Sequence, residues 1–63
     1  MANRYALRME GRNSWTVFDI FTGQPAEFEQ KLMVGIRTHR AEKTVVKLNA
    51  QDAKRREEAD RRP

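Results

Sequence analysis

Seven basic side chains between positions 37 and 56 are the residues whose type and spacing could do chemistry: Arg37, Arg40, Lys43, Lys47, Lys54, Arg55 and Arg56. The chemistry they suit is phosphate binding. Arg37, Arg40, Lys43 and Lys47 crowd the first turns of a predicted helix, with Glu42 alone opposing them. Cations there work against the helix macrodipole, at about 0.3–1 kcal/mol each at low salt. Lys43 and Lys47 are also a like-charge pair four residues apart, which destabilises a helix further. Selection for stability alone would not choose this arrangement, whereas a phosphate would turn it favourable. The alternative is a solvated face whose cost is tolerated.

Catalytic chemistry has no comparable set of residues. His39 is the only histidine and there is no cysteine. Ser14 therefore has no second member to activate it, and a metal would lack ligands in register. The glycines, Gly11, Gly23 and Gly35, are too scattered for a phosphate loop or a dinucleotide turn. The expectation is a protein that is not an enzyme and uses neither cofactor nor metal.

The elements that must position the basic residues read as α+β. Tyr5, Leu7 and Met9 alternate with Ala6, Arg8 and Glu10, the pattern of a half-buried strand. Gly11-Arg12-Asn13 supplies a tight turn, and Ser14-Trp15-Thr16-Val17-Phe18-Asp19-Ile20 is a second strand rich in aromatic and β-branched residues. A second turn follows. There Asp19 can accept a backbone N–H two residues on, Gly23 can take a left-handed conformation and Pro25 ends pairing. Residues 26–32 are expected to return as a third strand beside the second, and Gly35 to bend the chain into a helix capped by the Thr38 hydroxyl. Ala41, Val45 and Leu48, flanked by Val46 and Ala53, form its apolar stripe. The predicted architecture is a three-stranded antiparallel sheet packed on one C-terminal helix, in the order β-β-β-α. A coiled coil is excluded because Asp52 and Arg55 interrupt the seam after two heptads.

Residues 1–53 make one domain on this reading, with residues 54–63 a charged helical extension or frayed tail. Glu57–Arg61 and Glu58–Arg62 are spaced to support it as i, i+4 pairs. The charge is lopsided. Residues 1–36 hold four basic and four acidic groups, whereas residues 37–63 hold nine and five, so the whole net charge of +4 lies in the second part. That asymmetry suits an anionic partner. No apolar run approaches the roughly 20 residues of a membrane span, and Met1-Ala2-Asn3-Arg4-Tyr5 opens no signal peptide. With no cysteine in the chain, the expected location is the cytoplasm.

The second strand raises a packing problem. Trp15 and Val17 point to one face, Phe18 and Ile20 to the other, and one helix covers only one face of a small sheet. Phe18 and Ile20 are therefore a candidate partner face, and a homodimer that buries them is the plainest solution.

The run Trp15-Thr16-Val17-Phe18-Asp19 with Thr22-Gly23-Gln24-Pro25-Ala26, followed by Ala41-Glu42, Val45 and Leu48-Asn49, resembles a family of short uncharacterised proteins from rhizobial-type alphaproteobacteria, over residues 4–55. That resemblance implies a fold and no activity. Residues 14–50 also resemble, more loosely, the arm-type DNA-binding domain of tyrosine recombinases, in which a three-stranded sheet enters the major groove and the helix backs it. The chain departs from that pattern, because residues 14–36 offer Lys31 alone against Asp19, Glu27 and Glu29. The helix is then the better surface for nucleic acid. The sequence thus points to a small, self-associating, non-enzymatic binding protein, with nucleic-acid binding through the basic helix as the alternative function.

Overall fold

The alternation at residues 5–10 produces strand β1 (Tyr5–Gly11) in the computed structural model, which describes residues 3–60. Strand β2 (Ser14–Asp19) runs back antiparallel to it, Leu7 facing Val17 and Arg8 facing Thr16. Asn13 carries the positive φ of 53° that so short a reversal needs, a conformation asparagine tolerates better than most residues. Between the Met9–Trp15 and Gly11–Ser14 pairs the register shifts by one residue, a bulge at Glu10. Tyr5, Leu7 and Met9 share one face with Trp15, Val17 and Asp19, while Ala6 and Arg8 share the other with Thr16 and Phe18.

The third strand expected over residues 26–32 does not form, and the three-stranded sheet is corrected to two sheets of two strands each. The far edge of β2 is satisfied instead by two separate pieces of chain. The Val17 N–H donates to Met33 C=O (2.9 Å), the Ala26 N–H donates to Val17 C=O (2.8 Å), and the Met33 N–H donates to Ala26 C=O (2.8 Å). Trp15 and Ile36 exchange both backbone bonds further along. Between residues 26 and 33 the chain doubles on itself as a minimal hairpin, β3 (Glu27–Phe28) and β4 (Lys31–Leu32). The reversal at Glu29 and Gln30, with φ of 52° and 67°, turns the chain away after Ala26. Pro25 does not end the pairing as expected: it bridges Phe18, with bonds to β2 on either side, because at this position its missing N–H points away from β2. Gly23 (φ 75°) and Gly35 (φ 61°) occupy the bends the sequence assigned to them.

Helix α1 (Thr38–Asp60) packs across the Val17 face. Its first bond runs from the Ala41 N–H to the Arg37 carbonyl. Thr38 does not act as the expected cap. Its hydroxyl accepts the Trp15 indole N–H (2.7 Å), while its own N–H is capped by Asn13 Oδ1 from the β1–β2 turn (2.9 Å). One asparagine therefore shapes the hairpin and terminates the helix. The buried stripe is Ala41, Thr44, Leu48 and Asp52, with Val45 partly covered and Val46 turned to solvent. Beneath it Val17, Ala26 and Met33 complete the core, and Tyr5, Leu7, Trp15, Phe28 and Ile36 pack around them. The helix continues through Asp60; Arg61 and Arg62, and hence the two expected i, i+4 pairs, lie outside the described residues. Among the described residues no helix is long and apolar enough to cross a membrane.

The Glu29–Gln30 turn is a mirror-image turn built without glycine or asparagine, and left-handed residues of this kind cost about 1–2 kcal/mol each. Replacing Glu29→Asn together with Gln30→Gly is expected to raise the urea unfolding midpoint, by a gain on the order of 1–2 kcal/mol. An unchanged midpoint would mean that the turn stores no strain.

Candidate nucleic-acid interface

One turn of α-helix takes 3.6 residues, so side chains three, four or seven apart line one face. Arg40, Lys43, Lys47 and Lys54 follow that spacing, and they fall within about 60° of one another around the axis. All four are exposed, and their arc lies about 120° around the axis from the buried Ala41, Thr44, Leu48 and Asp52 stripe, on one flank of the helix, with Lys54 bordering the side that faces β3. The row covers about 21 Å at 1.5 Å per residue. Ala50, also exposed, stands between Lys47 and Lys54 and keeps the surface low there. Among the described residues none of the four makes an ion pair, and the first turn of α1 contains no acidic residue.

The other three sequence candidates are placed differently. Arg37 is exposed but precedes the helix, and its carbonyl receives the first helical bond. Arg55 and Arg56 turn toward Asp52, with Arg55 Nη2 at 3.5 Å from Oδ1 and Arg56 Nη2 at 3.0 Å from Oδ2. Asp52 is only 3% exposed. A carboxylate so buried needs cations and donors around it, and Arg4 completes the set at 3.5 Å. Arg4 also grips Asp19 through Nε and Nη2, both 2.9 Å from Oδ2. The Arg4 guanidinium thus ties the chain ahead of β1 to the end of β2 and to the helix. Asn49 adds a second tie, accepting the Tyr5 N–H (2.8 Å) and donating to the Tyr5 carbonyl (3.1 Å).

Sequence reading missed Arg4, Asn49 and the inward role of Asp52. A signal for Asp52 was present: it extends the apolar stripe one turn beyond Leu48, with arginines three and four residues on. Such a position favours a buried ion cluster over a solvated one.

The candidate partner face is only partly open. Phe18 is half-buried, and the Arg8 guanidinium stacks 5.5 Å from its ring centroid while bonding Glu10 Oε1 at 2.6 Å. Ile20 lies just beyond β2 and is exposed. The ring that projects most is Phe21, at 66% exposure, with Arg4 5.8 Å from its centroid. Elsewhere, a groove of about 480 Å³ between α1 and β3 is lined by Tyr5, Glu27, Leu48, Gln51, Lys54, Arg55 and Glu58, without serine, histidine or cysteine. Among the described residues there is no cluster of three or more histidine, cysteine or carboxylate groups that could hold a metal.

No family model, curated protein or solved structure matches the chain. The chemistry of the surface is therefore read from its geometry.

The Arg4 hydrogen bond holds the Asp19 carboxyl below the usual carboxylate range, helped by the Phe21 N–H and opposed by burial. A carboxyl lowered in the folded state contributes stability above its unfolded value of about 3.9, and that contribution is lost as pH falls through the folded value. Urea midpoints measured from neutral to strongly acidic pH should fall below about pH 4 in the native chain. In Asp19→Asn the neutral midpoint should be lower and this part of the acid decline absent. An acid limb identical in both proteins would rule out the Arg4–Asp19 bond as its source.

Proposed function

We propose that the protein is a small non-enzymatic binding protein that engages nucleic acid through this exposed flank of α1. The observation that carries this reading is the unpaired row Arg40, Lys43, Lys47 and Lys54. These side chains repel one another and make no ion pair with a carboxylate among the described residues, while nearby arginines are drawn off to Asp52. Polyanion phosphates would relieve that repulsion, with release of condensed counterions as the driving force.

The row carries no aromatic side chain, so it suits the phosphates of a duplex better than the stacked bases of a single strand. Contacts of this kind position a protein without specifying sequence. The sheet is a poor alternative surface, because its outward arginine, Arg8, is already held by Glu10. On this reading the protein works in the cytoplasm, where nucleic acid is accessible.

Self-association is the second reading, favoured by the open edge of β1 and by Met9, which is 65% exposed beside it.

Fluorescence anisotropy with a labelled duplex, titrated at several salt concentrations, tests the first reading. The native chain should bind at low salt, with log K falling against log[salt] at a slope of about −3 to −4 for four phosphate contacts. Lys43→Glu combined with Lys47→Glu should abolish binding, whereas Arg55→Ala should leave the slope unchanged. No binding at low salt, or binding indifferent to the double reversal, would remove the proposal.

A further inference from the structure

We infer that the outer edge of β1 at Leu7 and Met9, ahead of the Glu10 bulge, is a docking surface for a second copy of this chain, joined antiparallel around Met9. The inference rests on the self-association reading and supplies its surface and register.

Hydrogen-bond parity identifies the free edge. The Ile20 N–H donates to Arg4 C=O (2.9 Å), in the same register that sets Tyr5 opposite Asp19. Bonded and non-bonded pairs alternate along an antiparallel ladder. Ala6 and Arg8 therefore turn their backbone groups toward β2, while Tyr5, Leu7 and Met9 turn theirs outward. Each outward residue on the opposite edge of the sheet is satisfied: Trp15 by Ile36, Val17 by Ala26 and Met33, Asp19 by Gly23 and Gln24. On the β1 side Tyr5 is satisfied as well, because the Asn49 carboxamide bonds both its N–H and its C=O as a neighbouring strand would. Leu7 and Met9 have no such partner among the described residues.

The helix leaves this stretch uncovered because it crosses the sheet obliquely. Its start lies by Trp15 and Asn13 of the β2 side, and its middle reaches the β1 edge at Tyr5. The Met9 end of β1 is left outside that cover, which is why the Met9 side chain is 65% exposed on the same face as the core.

Charge selects the occupant and the register. With Met9 opposite the partner's Met9, the Arg8–Glu10 pair within each strand (2.6 Å) meets the reversed pair of the other, so that Arg8 also stands opposite the partner's Glu10 and Glu10 opposite the partner's Arg8. Both cross-strand pairs are then of opposite sign. The neighbouring register with the same parity, Leu7 opposite the partner's Met9, sets Arg8 against the partner's Arg8 and is disfavoured. A segment that alternates Arg8-Met9-Glu10 is thus complementary to itself when reversed. The two Met9 side chains would cover one another, and flexible methionine adapts well to such a contact.

The full chain tests this by sedimentation equilibrium from micromolar to millimolar concentration. A concentration-dependent dimer is expected. Met9→Pro removes an N–H that points away from β2, so it should weaken dimerisation by about tenfold or more while keeping the β1–β2 ladder. Because proline could also disturb folding, charge supplies a second route: Arg8→Glu should weaken the dimer, and adding Glu10→Arg should restore it. The chain has no cysteine, so Met9→Cys gives a clean cross-linking probe, and facing residues of a bonded antiparallel pair lie about 5.5 Å apart, within disulfide reach. Under mild oxidation it should cross-link faster than Val46→Cys, a position equally exposed at 65%. A strict monomer at all concentrations overturns both the surface and self-association, leaving a protected edge. A dimer that ignores the charge exchange, or that cross-links as fast through Val46→Cys, overturns the β1 edge alone.

Discussion

Three hydrogen bonds between Val17, Ala26 and Met33 are the constraint on which the rest of this small structure depends. Each of the three residues bonds the other two through the backbone, and all are buried, Val17 fully so at 0% exposure. The node joins β2 to both flanks of the β3–β4 hairpin. It also fixes where the Met33 side chain enters the core beneath α1. A chain this short buries a modest share of its surface on folding. With five buried apolar side chains among the described residues, directional bonds must supply much of the uniqueness that packing would otherwise give. The Asn13 cap, the Trp15–Thr38 bond and the Asn49–Tyr5 pair are of that kind; the first two hold the helix start at Thr38 and the third holds its middle at Asn49.

Asp52 sorts the positive charge. It draws Arg4, Arg55 and Arg56 together at the far end of the sheet. Arg40, Lys43, Lys47 and Lys54 stay exposed in a row that makes no ion pair among the described residues. A net charge of +4 says little about function by itself, and its division between an inner cluster and an outer row says more. The inner group acts on the fold and the outer group is left for a ligand.

The sequence made the local features legible and hid the distributed ones. The two long strands, the Asn13 turn, the Asp19 side chain bonding the Phe21 N–H (2.8 Å), and the bends at Gly23 and Gly35 all follow from one residue or a short alternating run. The third strand was misread because its two halves are separated by a hairpin whose reversing residues, Glu29 and Gln30, carry no turn signature. Thr38 looked like a cap by type, but a nearby indole claims its hydroxyl, and nothing local announces that Asn13 would reach across 25 positions. The basic row was visible as composition. Which of the seven cations belonged to it required the direction of the helix against the sheet.

The bond between Ala26 and Met33 has one more consequence. It closes the chain at the base of the hairpin, so residues 27–32 form a side branch whose two ends are already joined. Apart from the Phe28 ring, which packs on the core, this branch contributes no residue to the cluster beneath the helix. Evolution or an engineer could therefore vary the rest of that arm while the trunk keeps its geometry, provided an apolar ring still fills the place of Phe28.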